Sequence, residues 1–289
     1  MEILVKAHAK INLSLDVLRK REDGYHDLEM VMTSLALCDD VTIKISEGSG
    51  ISASSNIETL PCDGKNIAVL AARQFFKALN LPPKQVDIYM HKRIPVAAGL
   101  AGGSADAAAV LKGLNDILGT NCSRKELAEI GGVLGSDVTY CLTGGTMFAE
   151  GKGEILSALP PLPACHIVLS KPSFSIKTPE LFAQIDPKKI AHRPDTKSLI
   201  SALSTGDLKQ ISHLMYNVFE DVLGSHSEAV SEIKNDMLDL GAVGALMTGT
   251  GPCVFGLFET ETLAQQAYAF IKEKNPATFF TQIYEEPSL

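Results

Sequence analysis

The amino-terminal segment alternates apolar and polar residues with a period of two over residues 3–17. The apolar positions are Ile3, Val5, Ala7, Ala9, Ile11, Leu13, Leu15 and Val17. Because successive side chains of a strand point to opposite faces, this alternation predicts a long strand with one buried face. Lys10 and Asn12 fall on the polar face, where each is interpreted most simply as a solvated sheet residue.

Periodicity predicts mixed α and β elements up to about residue 153. Asn66 is placed as an N-cap, and Ser123 and Glu126 have the spacing of a capping box. In chain order, the predictions are strands at 28–37, 41–46 and 51–54, a helix at 67–79, a strand at 86–94, helices at 105–118 and 124–134, and a strand at 144–153.

The carboxyl-terminal part follows a proline cluster, Pro160-Pro-Leu-Pro163, which predicts a domain boundary. We therefore divide the chain into domains at 1–159 and 160–289. Thr178 is predicted to be the N-cap of a short helix whose first residue is a proline. The remaining predictions are strands at 166–170, 245–247, 253–258 and 278–284, and helices at 198–203, 208–223, 228–240 and 261–272.

A glycine-rich loop, Pro95–Ala105, lies between a predicted strand and a predicted helix. Gly99, Gly102 and Gly103 allow the backbone to approach a ligand closely. With Ser104 as N-cap, the N–H groups of the loop and helix would converge on one point, as in phosphate sites. The loop lacks the Lys-Ser/Thr pair of a P-loop and the Gly-x-Gly-x-x-Gly spacing of a dinucleotide fold. The alternative is a glycine-rich turn ahead of a tightly packed helix.

Composition narrows the class of protein. The chain has 289 residues, of which 45% are hydrophobic and 21% charged, as expected for one large or two ordinary soluble domains. The net charge of −8 argues against nucleic-acid binding. We find no apolar run of membrane-spanning length and no signal-peptide pattern at the start. The six cysteines are scattered without a Cys-x-x-Cys pair, which predicts reduced thiols in a cytoplasmic protein.

Several motifs carry a family resemblance. Pro95-Val-Ala-Ala-Gly-Leu-Ala-Gly-Gly-Ser-Ala105 resembles the Pro-x-x-x-Gly-Leu-Gly-Gly-Gly-Ser-Ser motif of the GHMP kinases (galactokinase, homoserine, mevalonate and phosphomevalonate kinases). Gly249-Thr-Gly-Pro-Cys-Val-Phe-Gly256 resembles their third motif, Gly-Ser-Gly-Pro-x-x-Phe-Gly. Ala9-Lys-Ile-Asn-Leu13 and Asp23-Gly-Tyr-His26 are similar to the opening of members that phosphorylate a cytidine-diphosphate-linked methylerythritol. The similarity continues in order along nearly the whole chain.

The resemblance implies a two-domain α+β fold, with a left-handed βαβ unit in the first domain and a ferredoxin-like second domain. It implies ATP-dependent phosphorylation of an alcohol, with Asp137 as the base, Lys10 as its partner and Mg²⁺ on the phosphates. Asn66 and Lys92 match positions near the adenosine. The loop residues implied to hold the phosphates are Pro95, Val96, Ala97, Ala98, Gly99, Leu100, Ala101, Gly102, Gly103, Ser104 and Ala105. The metal ligands stay unassigned.

The resemblance also implies how the small-molecule substrate is bound. Tyr25 and Phe182 match an aromatic pair that sandwiches cytosine, and His26 matches the residue that reads the base edge. Asn12 and Thr178 match contacts to sugar or methylerythritol hydroxyls. We expect no nucleic-acid or membrane partner, and a monomer or weak homodimer. The alternatives are a homoserine or mevalonate kinase of the same family, or a sensor relative that binds nucleotide without catalysis.

Three positions depart from the family motifs. Ala101 replaces a glycine, so its backbone must be right-handed or accept mild strain. Ala105 replaces a serine and provides no hydroxyl. Thr250 replaces a serine and keeps the hydroxyl.

Overall fold

The computed structural model describes residues 1–284. Its strands are β1 (Glu2–Lys20), β2 (His26–Ser46), β3 (Gly50–Ser55), β4 (Gln85–His91), β5 (Met147–Gly151), β6 (Ile155–Ala158), β7 (His166–Ser170), β8 (Tyr216–Asn217), β9 (Gly244–Met247), β10 (Val254–Phe258) and β11 (Thr278–Gln282). Its α-helices are α1 (Ile67–Ala78), α2 (Gly102–Leu118), α3 (Arg124–Gly132), α4 (Ser136–Thr143), α5 (Thr178–Gln184), α6 (Thr196–Thr205), α7 (Leu208–Leu214), α8 (Ser227–Asp239) and α9 (Glu261–Lys274).

Most predicted elements are confirmed, but the helix predicted at 208–223 is wrong in its second half. Helix α7 ends at Leu214, and Tyr216 and Asn217 pair in parallel with Ser14 and Leu15 of β1. The Asn217 side chain accepts a hydrogen bond from the Phe219 N–H and so caps a short 3₁₀ segment instead of continuing the helix. The two strands predicted within 28–46 form the single strand β2.

The chain divides into two compact units. The first comprises Met1–Ala9, Leu37–Val96 and Ala101–Thr143. In this unit β4 pairs antiparallel with β2 and parallel with β3, and α1 connects β3 to β4. This βαβ unit was expected from the family resemblance; its left-handedness stays a prediction. Helix α2 packs on the sheet at Gly113, where an added Cβ would lie 2.3 Å from Ile43 Cδ1.

The second unit comprises Lys10–Ala36, Ala97–Leu100 and the chain from Gly144 onward. Within it, β5 pairs with β2, and a separate antiparallel sheet has the order β11-β7-β10-β9. Helices α8 and α9 pack on this sheet. With β7, β9, β10 and β11 as first to fourth strands, the order is 4-1-3-2, which confirms the ferredoxin-like prediction.

The two units do not follow the division at residues 159 and 160. Strands β1 and β2 each contribute residues to both units. They belong to a seven-stranded sheet with the order β3-β4-β2-β1-β8, in which β5 also pairs with β2, and β6 with β5. The six cysteines are free thiols. None of the helices described between residues 1 and 284 combines the length and apolar content needed to span a bilayer.

Strand β1 is buried on both faces from Ala9 to Val17, so the prediction of a solvated polar face is wrong there. Lys10, Asn12, Ser14 and Asp16 are each at most 4% exposed. Other parts of the second unit cover this face, and the sequence pattern alone could not indicate this. Arg193 donates to the Asp16 carboxylate at 2.6 Å, for example.

Candidate active site

Helix α2 begins at Gly102, with Ala101 as its N-cap, so the prediction of Ser104 as N-cap is wrong. The first intrahelical bond described runs from Ala105 N–H to Ala101 C=O at 2.9 Å. The N–H groups of Gly102, Gly103 and Ser104 therefore lie in the first turn, where a helix offers donors to an anion. The loop remains a candidate phosphate site although its cap differs from the predicted one.

Ala101 has φ +57° and ψ +25°, which is left-handed backbone. A non-glycine residue in this conformation costs about 1–2 kcal/mol. Of the two conformations anticipated from the sequence, Ala101 therefore adopts the strained one. Ala97 also has a left-handed φ of +51°. The Ala105 side chain is buried and offers no hydroxyl to a ligand.

In the second unit, the segment Ala97–Leu100 packs on the turn between β9 and β10. Gly99 has φ +78°, and a Cβ there would lie 2.2 Å from the carbonyl oxygen of Thr248. The Thr248 hydroxyl donates to the Gly99 carbonyl at 3.3 Å, and Cys253 N–H donates to the Ala98 carbonyl at 3.3 Å. The two segments that resemble GHMP kinase motifs, Pro95–Ala105 and Gly249–Gly256, are therefore in direct backbone contact.

Sequence reasoning did not identify Asn217, which holds this turn. Its side-chain amide is fully buried and donates to the carbonyls of Met247 and Gly249, both at 2.8 Å. The sequence signal was weak, because Asn217 lay inside a predicted helix. Its low helix propensity was the sole local hint.

Lys10 and Asn12 lie together on the buried polar face of β1. The Lys10 ammonium donates to Asn12 Oδ1 at 2.5 Å, and Asn12 N–H donates to the Thr248 hydroxyl at 3.0 Å. An ammonium has three donors, so one neutral amide oxygen does not use up its capacity. The arrangement suits Lys10 to bind an anionic or partly anionic oxygen beside the Thr248 turn.

Asp137 lies half-buried in the first turn of α4, in the first unit. An acidic side chain at this end of a helix interacts favourably with the helix macrodipole. Helix α4 packs closely on α3 because Gly131 has no side chain: a Cβ there would lie 2.8 Å from Val138 Cγ1 and 2.9 Å from Leu142 Cδ1. Lys10 belongs to the second unit. The predicted pairing of Lys10 with Asp137 stays a prediction.

Two of the three predicted base-binding residues, His26 and Phe182, form an aromatic group with Phe219 in the second unit. His26 stacks on Phe182 with ring centroids 5.1 Å apart, and Phe219 meets Phe182 edge-on at 4.8 Å. Tyr25 is 62% exposed, with the Lys152 ammonium 4.9 Å above its ring. The ring packed on Phe182 is therefore His26. Burial, with a smaller effect of the Lys20 charge, lowers the pKa of His26, which favours the neutral ring.

Thr178 is the first residue of α5, and Lys177 is its N-cap, so the predicted cap is displaced by one residue. Pro179 is therefore the second residue of the helix and not the first, a position where its missing N–H costs no intrahelical hydrogen bond. The Thr178 and Thr250 hydroxyls are hydrogen-bonded at 2.9 Å. Thr250 thus uses the hydroxyl that it keeps in place of the family's serine.

Asn66 and Lys92, the predicted adenosine contacts, both have structural partners. Asn66 is the N-cap of α1, as predicted, and its side chain accepts from Ala68 N–H at 2.9 Å. Lys92 is buried and forms ion pairs with Asp39 and Asp106. Sequence reasoning missed both carboxylates, although an aspartate within the alanine-rich run of α2 was a visible signal. Contact of Asn66 and Lys92 with nucleotide stays a prediction.

The comparisons with known proteins agree with this architecture. The family model for the GHMP kinases N terminal domain matches residues 66–145, and the model for the GHMP kinases C terminal region matches residues 199–277. The chain belongs to the GHMP kinase family. A 4-diphosphocytidyl-2-C-methyl-D-erythritol kinase of Clostridium tetani is 45% identical to it, over 93% of this chain and 96% of that protein.

Solved structures support the same fold. A crystal structure of 4-(cytidine 5'-diphospho)-2C-methyl-D-erythritol kinase superposes with a TM-score of 0.83 at 30% identity, covering 99% of this chain and 100% of that one. The homoserine kinase of Cytophaga hutchinsonii superposes with a TM-score of 0.78 at 21% identity, covering 98% and 94%. The second likeness concerns the fold alone. Together they confirm the predicted two-domain GHMP kinase fold.

Proposed function

We propose that this chain is an ATP-dependent kinase that phosphorylates the 2-hydroxyl of 4-diphosphocytidyl-2-C-methyl-D-erythritol, in non-mevalonate isoprenoid precursor synthesis. Identity of 45% over 93% of the chain to a kinase of that name supports the assignment. The structural observation that carries it is the His26–Phe182 stack, backed by Phe219. This aromatic surface suits a planar base, and neither homoserine nor mevalonate has one.

In the proposed reaction, the Asp137 carboxylate takes the proton of the substrate hydroxyl. The hydroxyl oxygen forms a bond to the γ-phosphorus of ATP, the bond to the bridging oxygen breaks, and ADP leaves. The Lys10 ammonium stabilises the oxygen as it loses its proton. Its position beside a neutral amide leaves donors for that task.

ATP is the phosphate donor of this family, and we propose that its phosphates bind at the loop Pro95–Ala105. The backbone N–H groups at the start of α2 suit that role because phosphate binds readily at helix N-termini. No group of three or more His, Cys, Asp or Glu side chains between residues 1 and 284 could hold a metal ion. We propose that Mg²⁺ binds with ATP, since nucleotide phosphates supply much of its coordination in kinase sites.

The cytidylated substrate is proposed to bind with its base near Tyr25, His26 and Phe182. A neutral His26 can both donate to and accept from a base edge. Asn12 and Thr178 are proposed to contact hydroxyl groups. The division of the chain into domains 1–159 and 160–289 and a monomeric or weakly dimeric state also remain proposals. We further propose a cytoplasmic location, because six free thiols suit a reducing compartment.

The test is ADP release from ATP with three acceptors: the cytidylated methylerythritol, homoserine and mevalonate. We expect turnover with the first, and competition by CMP or CDP against that substrate. No turnover above a control without enzyme would contradict the enzyme assignment. Turnover with homoserine or mevalonate would favour the other GHMP kinases, and nucleotide binding with no turnover on any acceptor would favour the sensor alternative.

A further inference from the structure

A buried ionic cluster of Lys92, Asp39 and Asp106 lies beneath the first turn of α2. The Lys92 ammonium contacts Asp39 Oδ2 and lies 2.5 Å from Asp106 Oδ2. These three side chains are at most 4% exposed. The same ammonium lies 3.4 Å from the carbonyl oxygen of Gly102, the first residue of the helix.

Asp39 connects the cluster to the chain that leaves β4. Its Oδ1 accepts the N–H groups of Arg93 at 2.5 Å and Ile94 at 2.8 Å. On the helix side there is little space, because a Cβ on Gly102 would lie 3.0 Å from Ile94 Cγ2. The cluster therefore joins the end of β4 to the start of α2.

A gain in protein stability does not explain why these three charged side chains are buried together. Each buried ion loses several kcal/mol of hydration, and apolar side chains of similar volume are often equally stable in such positions. One ammonium faces two carboxylates, and Asp106 Oδ1 is buried without a hydrogen-bond partner. Burial raises the pKa of Asp106 to about 7, although Lys92 opposes the shift. A buried charged group with an unpaired atom calls for a role other than stability.

The strained backbone beside the cluster indicates what that role is. Ala101 holds a left-handed conformation immediately before Gly102, and such strain persists only where the surroundings fix the chain. The Lys92–Asp106 ion pair fixes the first turn directly after the strained residue. If that turn shifted, the N–H groups of Gly102, Gly103 and Ser104 would change direction.

We propose that Asp106 is a positioning residue for ATP: through Lys92 it holds the first turn of α2 where its N–H groups meet the nucleotide phosphates. The proposal rests on the proposed function only in taking ATP as the phosphate donor. It assigns Asp106 no contact with the reacting atoms.

Calorimetry of ATP with Mg²⁺, without the second substrate, tests this positioning. Asp106→Leu removes the carboxylate and keeps the branched shape of the side chain, and Asp106→Asn keeps an acceptor for Lys92 without the charge. Asp116→Asn, on an exposed part of the same helix, is the matched control. We expect the Kd for ATP to rise about tenfold in Asp106→Leu, about threefold in Asp106→Asn, and not in the control.

Steady-state kinetics distinguish a role in positioning ATP from a general disturbance of the active site. In Asp106→Leu we expect the KM for ATP to rise, with kcat at saturating ATP and the KM for the second substrate within about threefold of wild type. A folded Asp106→Leu protein that binds ATP as wild type does would overturn the proposal, as would an equal loss in all three parameters. If Asp106→Leu does not fold, the Kd of Asp106→Asn decides alone: unchanged affinity overturns the proposal. A wrong substrate assignment leaves this test intact, because ATP binding is measured without the acceptor.

Discussion

A side chain on Gly99 would place its Cβ 2.2 Å from the carbonyl oxygen of Thr248. The contact is mutual, because a Cβ on Gly249 would lie 3.0 Å from the Gly99 carbonyl oxygen. Two loops that lie far apart in the sequence therefore meet at a spacing that leaves no room for a side chain at Gly99 and very little at Gly249. The glycines of both motifs have this steric role besides any contact with nucleotide.

Gly99→Ala should destabilise the protein by on the order of 3 kcal/mol, since it adds left-handed strain and a backbone clash. Gly119→Ala is the matched control: Gly119 also has positive φ, at +62°, but nothing lies within 4 Å of its added Cβ. The control should lose about 1 kcal/mol from strain alone. Urea unfolding measures both. Equal losses would show that the contact with Thr248 is not restrictive.

Asp137→Ala should lower kcat by about 10²–10⁴-fold if this carboxylate is the base. The urea midpoint should change little, because the side chain is only half-buried. Asp116→Ala, an exposed carboxylate in the same unit, should leave kcat unchanged. Near-normal turnover in Asp137→Ala would move the role of base to another residue.

Tyr25→Ala should raise the KM for the cytidylated substrate and leave the KM for ATP unchanged, because its exposed ring is proposed to stack on cytosine. Stacking on an aromatic ring contributes about 1 kcal/mol, so a rise of roughly fivefold is expected. Tyr89→Ala removes another exposed tyrosine, on β4, and should change neither KM. A defect confined to ATP would contradict the assignment of Tyr25.

Asp106→Asn should gain stability relative to wild type as the pH rises. The pKa of Asp106 is about 7 in the folded protein, above its ordinary value of 3.8, because burial disfavours the charged form. Between these values Asp106 binds more protons in the folded chain than in the unfolded chain, so its contribution to stability falls as the pH rises. The variant lacks this titration. The difference between the urea midpoints of the variant and wild type should grow from about pH 4 to pH 7 and stay constant above that. A difference that does not change with pH over this range would contradict the raised pKa of Asp106.

Local patterns predicted much of the fold. The apolar run at His166–Ser170, the capping box at Ser123 and the cap at Asn66 each depend on neighbouring residues, and all three are confirmed. Ser104 shows the limit of such reasoning. Serine favours the N-cap in isolation, but here the left-handed backbone at Ala101 starts the helix earlier.

The unpredicted features depend on contacts between distant residues. The polar face of β1 is covered by Arg193, 177 residues from its partner Asp16, and by Thr248, 236 residues from Asn12. The partners of Lys92 lie 53 and 14 residues away. The sequence identified Lys10, Asn12 and Lys92 through family resemblance, but their neighbours required the folded chain.

The double burial of β1 also determines where this chain can tolerate a change in length. Between Ala9 and Val17, one face carries apolar side chains and the other carries polar residues, of which Lys10, Asn12 and Asp16 have hydrogen-bond partners. Inserting or deleting one residue there would exchange the two faces beyond that point, because side chains alternate along a strand. Lysine and aspartate would then enter the apolar layer. Single-residue insertions should therefore be accepted at the exposed end of β1, from Leu18 to Lys20, and not between Ala9 and Val17.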